Sequence, residues 1–231
     1  MHRYLLTVSE WRDTMTDGPR YRSMRETIVE TGLEMIEQEL TKGTGGNASA
    51  RTDDGNVVIS PSGVPYDEIP PSEVPVVSLD GERIAGDLPP SSETPMHTAV
   101  YAGREDVGAV IHTHSPYAST FASLREPIPA SSYLIAYAGH EVPVAGYAPP
   151  GSEELANGAL DALSEATNAC LLANHGVLAI GEGVRDAFEN ALIVEHCARI
   201  HYQASAIGDP VVLTDEEVDE LIAGFAEYRS Q

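Results

Sequence analysis

The stretch 107-VGAVIHTHS-115 carries two patterns at once. Val107, Ala109, Val110 and Ile111 form a short apolar run of the kind that a buried strand needs. Strand alternation then puts His112 and His114 on one face, so two imidazoles project side by side at the C-terminal end of that strand. Two such rings are half of a metal site. Working outward, 169-ACLLANHGVLAIG-181 repeats the arrangement of apolar strand, histidine at a turn and apolar strand, and brings in His175 as a third candidate ligand. Upstream, 91-SSETPMH-97 sets the carboxylate of Glu93 next to two hydroxyls, Ser91 and Ser92, just before an expected helix start. Three neutral imidazoles, an open coordination position and a nearby unligated carboxylate point to zinc-type catalysis rather than to a closed structural zinc.

At 231 residues, with no interior linker rich in Pro, Gly and Ser, the chain is expected to build one domain over residues 21–231, preceded by an extension at 1–20. Acidic residues outnumber basic ones 36 to 13, for a net charge of -23, which excludes nucleic acid and anionic membranes as expected partners because both would be repelled. Lys42 is the only lysine, and a surface so acidic and lysine-poor suggests a halophilic source. With no apolar run of spanning length and no signal pattern, a cytoplasmic location is expected. Cys170 and Cys197 sit among apolar residues without metal spacing, so they read as buried small hydrophobes.

Helical spacing from Tyr21 to Leu40 predicts an amphipathic helix, ended by the glycines of KGTGGN. Strands are expected at Asn56 to Ser60, Val74 to Leu79 and Val142 to Tyr147, with a short one beginning at Ile84. Thr94 is expected to cap a helix with Pro95 at its first position, and His97 beneath that helix reads as a hydrogen-bonded histidine rather than a ligand. Further helices are predicted at Pro116 to Leu124, Gly151 to Ala166, Val184 to Ile207 and from Thr214 onward. Strands in the middle, with helices at both ends and between, fit an α/β chain of the α+β type: a central, largely antiparallel sheet sandwiched by helices.

Three loops offer hydroxyls or free backbone N-H groups: GTGGN with Thr44 and Asn47, PSG with Ser62 and Gly63, and Ser91-Ser92 at a helix N-terminus. If they converge, they form a phosphate pocket with almost no formal positive charge, and Lys42 reads as a cap on the first helix. A divalent metal on three histidines can polarise a carbonyl and stabilise an enediolate, while Glu93 carries a proton on and off carbon. The metal-free alternative, a lysine Schiff base, has a single candidate in Lys42.

In motif order, GTGGNAS, ISPSGVPY, SSETPMH, VIHTHSP and LLANHGV resemble the class II aldolase/adducin family, over roughly Met24 to Tyr228. The resemblance implies a zinc-dependent aldolase that cleaves a ketose 1-phosphate to dihydroxyacetone phosphate and an aldehyde. It implies zinc ligands at His112, His114 and His175, an acid/base carboxylate at Glu93, and phosphate contacts at Thr44, Gly46, Asn47, Ser62, Gly63, Ser91 and Ser92. Tyr133, in SSYLIAYAG, matches a tyrosine on the aldehyde side, and Phe225 and Tyr228 resemble the family's C-terminal tail. A cyclic homotetramer with sites at subunit interfaces is implied as well. Pentulose-phosphate 4-epimerases share the histidines but tend to have Asp where this chain has Glu93, and a sugar-phosphate dehydratase of the family has Glu there too. Adducin-like interaction modules have lost the metal, and the intact histidines and Glu93 set this chain apart from them.

Overall fold

The strand that carries the paired histidines, β5 (Ala109–Thr113), lies near the middle of one sheet in the computed structural model, which describes residues 19–164 and 166–229. The other strands are β1 (Asn47–Arg51), β2 (Val57–Ile59), β3 (Val76–Val77), β4 (Arg83–Ala85), β6 (Val144–Ala145), β7 (Ala169–Leu172) and β8 (Gly176–Gly181). Their order across the sheet is β4-β3-β2-β1-β5-β8-β7-β6, and every pairing is antiparallel except that of β6 with β7. The expected central antiparallel sheet is therefore present, with one parallel edge strand.

Alternation along the strands sorts side chains into two cores. Ala48 and Ala50 of β1, Ile111 of β5, and Val177 and Ala179 of β8 pack with α1 (Pro19–Glu37), α3 (Pro116–Leu124) and α5 (Val184–Ile207), through Ile28, Met35, Phe121 and Val194. On the opposite face, Val57, Ile59, Val110, Leu178 and Ile180 pack with α2 (Thr94–Gly103) and α4 (Glu153–Ala162), through Met96, Val100 and Leu155. His112 shares the parity of Val110, so it belongs to the α2 face. A final helix, α6 (Asp215–Arg229), packs on a 3-10 turn at Tyr133–Tyr137. Its start is a capping box: Thr214 N-H donates to the Glu217 carboxylate, and Glu217 N-H donates to the Thr214 hydroxyl.

Several elements differ from expectation. β1, with the sequence NASAR, has no strand signal of its own. The helix expected at Gly151 to Ala166 is the shorter α4, whose N-cap Ser152 accepts a hydrogen bond from Leu155 N-H. The strand expected at Val142 to Tyr147 shrinks to β6, beside Pro143, which has no N-H to give a ladder. α1 ends at Glu37, so Lys42 does not cap it; the Lys42 carbonyl instead accepts from Gly45 N-H in the following turn. The cap position of α2 is Glu93 rather than Thr94, and the Thr94 hydroxyl donates to the Ser91 carbonyl. Both cysteines are free and buried, as expected, and burial pushes the thiol of Cys170 up to about 12 and that of Cys197 to about 11. Of the expected extension, residues 1–18 lie outside the described residues.

Candidate metal centre and its carboxylate

β5 and the β7–β8 hairpin pair side by side, and that pairing brings the three histidines together. Their ring centroids are 4.7 to 5.2 Å apart, and one ligand atom from each lies within 4.8 Å of the others. Backbone bonds hold the cluster. The His112 Nδ1-H donates to the Val177 carbonyl at 2.8 Å, which leaves the Nε2 lone pair aimed into the cluster. His114 N-H donates to the Leu40 carbonyl at 3.0 Å. His175 sits in a tight turn, with its N-H bonded to the Leu172 carbonyl at 2.9 Å and the preceding Asn174 at a positive φ of 56°.

Two glycines make the approach of these strands sterically feasible. A Cβ on Gly176 would lie 2.2 Å from the Thr113 carbonyl oxygen and 3.1 Å from the His114 ring. Gly46, at φ 67°, would place a Cβ 2.7 Å from the His112 carbonyl oxygen. The role of Gly176 was not read from the sequence. Its signal was the His-Gly step that closes the hairpin.

Glu93 enters from the N-terminal end of α2. Its carboxylate makes no cap bond to the helix and is turned toward the histidines, with Oε2 3.1 Å from His112 Nε2 and Oε1 3.4 Å from His175 Nε2. Burial, and then the neighbouring imidazoles, hold His112 well below its ordinary value, while burial followed by His175 lowers His114. Neutral imidazoles are the form that a metal requires. The Nε2 atoms of His112 and His114 face each other at 2.9 Å, and both His175 Nδ1 and Glu93 Oε1 are buried without a hydrogen-bond partner. Converging nitrogen lone pairs beside an unsatisfied carboxylate oxygen fit a divalent transition metal held by His112, His114 and His175.

The phosphate-loop candidates are brought to the same end of the sheet. Asn47 pairs with His112 across β1 and β5, Ser60 N-H bonds the Ala48 carbonyl, and Ser91 N-H bonds the Ser60 carbonyl. Ser62 N-H bonds the Pro89 carbonyl, so the PSG loop lies directly against the segment that leads into Ser91 and Ser92. Thr44, Ser62, Gly63 and Ser92 are exposed, Gly46 is half-buried, and Ser91 and Asn47 are buried. The Asn47 amide is largely committed: Nδ2 donates to Glu93 Oε2 at 2.9 Å, and Oδ1 faces His97 Nε2 at 2.5 Å. Tyr133 is 56% exposed, with the Phe225 ring 6.1 Å away, and its described contacts lie with α6 rather than with the histidines. The side chain of Tyr228 lies outside the described residues.

Comparison with known proteins agrees with this geometry. The profile of the family described as "Class II Aldolase and Adducin N-terminal domain" matches residues 26–202. The chain is 47% identical over 208 residues to the 5-deoxy-D-ribulose 1-phosphate aldolase of Bacillus thuringiensis serovar kurstaki, covering 90% of this chain and 97% of that protein. It is 38% identical to the L-fuculose phosphate aldolase of Escherichia coli, over 87% of this chain and 93% of that protein. A solved L-fuculose 1-phosphate aldolase superposes with a TM-score of 0.86 at 42% identity, covering 88% of this chain and 96% of that one. By motif order, fold and these similarities, the chain belongs to the class II aldolase and adducin family.

Proposed function

We propose that this enzyme is a zinc-dependent lyase that cleaves a ketose 1-phosphate between C3 and C4, yielding dihydroxyacetone phosphate and an aldehyde. The observation that carries the reading is the seating of Glu93, with one oxygen held by Asn47 and the other buried, without a hydrogen-bond partner and 3.4 Å from His175 Nε2. When bound by His112, His114 and His175, a divalent metal supplies Lewis-acid polarisation of the ketose carbonyl. Imidazole ligands suit zinc among such metals.

The protein's own groups account for the remaining work. As the C3–C4 bond breaks, its electron pair passes to the three-carbon fragment, the C4 hydroxyl loses its proton to become the aldehyde, and C3 gains one. Glu93 Oε1 is the group assigned to carry the proton at C3, since Oε2 is occupied by the Asn47 amide. The loops at Thr44, Gly46, Ser62, Gly63, Ser91 and Ser92 are assigned to the phosphate, using hydroxyls and backbone N-H groups. Tyr133 is assigned to the aldehyde end. Its exposure, like that of Tyr147 at 57%, is consistent with cover by a neighbouring subunit of a homotetramer. The similarity to 5-deoxy-D-ribulose 1-phosphate aldolase supports a short deoxyketose phosphate as substrate, and a panel of ketose 1-phosphates assayed for dihydroxyacetone phosphate release tests the whole reading.

The phosphate pocket is expected to work without its nearest cation. Ser62→Ala should raise the Michaelis constant for a phosphorylated ketose by about tenfold, the worth of a hydrogen bond of ~1.5 kcal/mol to a charged group, whereas Lys42→Ala should leave it near that of the parent. Asn47→Ala, by contrast, should lower kcat, because that amide holds Glu93. Steady-state kinetics on the three variants, with phosphorylated and unphosphorylated ketose, check this. A larger loss in Lys42→Ala would reject the neutral pocket.

A further inference from the structure

Behind Glu93 runs a buried hydrogen-bond chain that joins α2 to β1. Tyr101 Oη lies 2.7 Å from Ser49 Oγ, which lies 2.6 Å from His97 Nδ1. His97 Nε2 is 2.5 Å from Asn47 Oδ1, and Asn47 Nδ2 is 2.9 Å from Glu93 Oε2. The members are almost wholly out of solvent, Ser49 and His97 completely so. Alternation puts Asn47 and Ser49 on the α2 face of β1, and His97 and Tyr101, one helical turn apart, stand over them.

The donors in this chain point one way. Burial holds His97 down to about 3, so its ring is neutral and carries a single N-H. Burial also keeps the Tyr101 phenol protonated, so it has a proton to give. Asn47 Oδ1 can only accept, so the one proton of the neutral His97 ring sits on Nε2, its Nδ1 accepts from Ser49, and Ser49 in turn accepts from Tyr101. This network holds the Asn47 amide with its nitrogen toward Glu93. In the flipped amide, the oxygen would face the carboxylate and the nitrogen would face His97, and both contacts would be repulsive or unmade. An asparagine does not pass a proton along such a chain, so the chain orients rather than conducts.

We propose that His97, set by Ser49 and Tyr101, is a positioning residue for the lyase reaction: it locks the Asn47 amide so that Glu93 is held by Oε2 and presents Oε1 for proton transfer. The proposal rests on the assignment of Glu93 as the acid/base group. His97 touches neither substrate nor histidine ligand in this role. Its effect should appear in kcat, with the metal content unchanged.

Two substitutions separate the halves of the ring. Glutamine places its amide nitrogen where Nε2 was and keeps the donor to Asn47, whereas asparagine reaches only the Nδ1 position and leaves Asn47 free to flip. His97→Asn is expected to lower kcat about 10- to 100-fold, with Michaelis constant and metal stoichiometry near the parent, and His97→Gln to stay within about threefold of the parent. A purely packing role would penalise the two variants alike. In the Glu93→Gln background, His97→Asn should cost nothing further, because the group being oriented is already inactive.

NMR of isotope-labelled histidine in the metal-free protein reads the tautomer directly and does not depend on turnover or on any variant folding. His97 is expected as the Nε2-H form, and the Nδ1-H form would overturn the proposal. Equal kcat in the two His97 variants, with Glu93→Gln inactive, would overturn the positioning role alone. Full activity of Glu93→Gln would overturn the acid/base assignment, and the positioning role with it.

Discussion

Replacing His112 by alanine is expected to strip the metal and reduce turnover to background. His112 is fully buried at the end of β5, its Nε2 faces that of His114, and its tautomer is set by the Val177 carbonyl, so its loss removes a pre-aimed ligand from the centre of the cluster. Removing a buried ring also leaves a cavity, and point changes of this kind destabilise by roughly 0.5–3 kcal/mol. A thermal melt alongside metal analysis separates loss of the site from loss of the fold. His175→Ala, at a half-buried position in a turn, should lose metal affinity with less effect on the melt. Stoichiometric metal retained in His112→Ala would reject the three-histidine site.

Glu93→Gln is expected to keep metal and fold but to lose roughly 10² to 10⁴ in kcat, the range of a general acid/base group. The amide is nearly isosteric with the carboxylate and cannot accept the proton. Glu93 stands as close to His112 and His175 as a ligand would, so metal analysis of this variant matters as much as its rate. Loss of metal together with activity would make Glu93 a ligand rather than a free base.

The parts of the fold that the sequence made legible are those whose signal is local. The histidine strand, the second hairpin and the helices α3 and α5 carry their own periodicity, and the last two match their expected bounds. β1 stayed hidden because its residues, NASAR, lack the β-branched and aromatic side chains that mark a strand. The structure supplies the reason: Ala48 and Ala50 face the α1 and α5 side in a crowded core, while Asn47 and Ser49 carry hydrogen bonds to α2. Small and polar residues are what such a position demands.

The candidate site divides in the same way. Three histidines at strand ends and a glutamate before a helix can be read from residue types and spacing. The ties of Asn47 to Glu93 and His97 span 46 and 50 residues, and no local pattern announces them. By residue type Thr94 is the better cap for α2, one residue beyond the observed cap position. The structure spends the cap position on Glu93, whose carboxylate is turned to the histidines instead. A local rule gave way where a carboxylate faces the histidine cluster.

The central claim, that this chain cleaves a ketose 1-phosphate with a metal held by His112, His114 and His175, meets its most direct test in one assay. Purified protein is freed of metal with a chelator, assayed for dihydroxyacetone phosphate release from 5-deoxyribulose 1-phosphate and L-fuculose 1-phosphate, and assayed again after one equivalent of zinc is restored. The account predicts no release from the metal-free protein and recovery with zinc. Release that persists after chelation, or a zinc-loaded protein that turns these substrates into an epimer or a dehydrated sugar without any dihydroxyacetone phosphate, would contradict it.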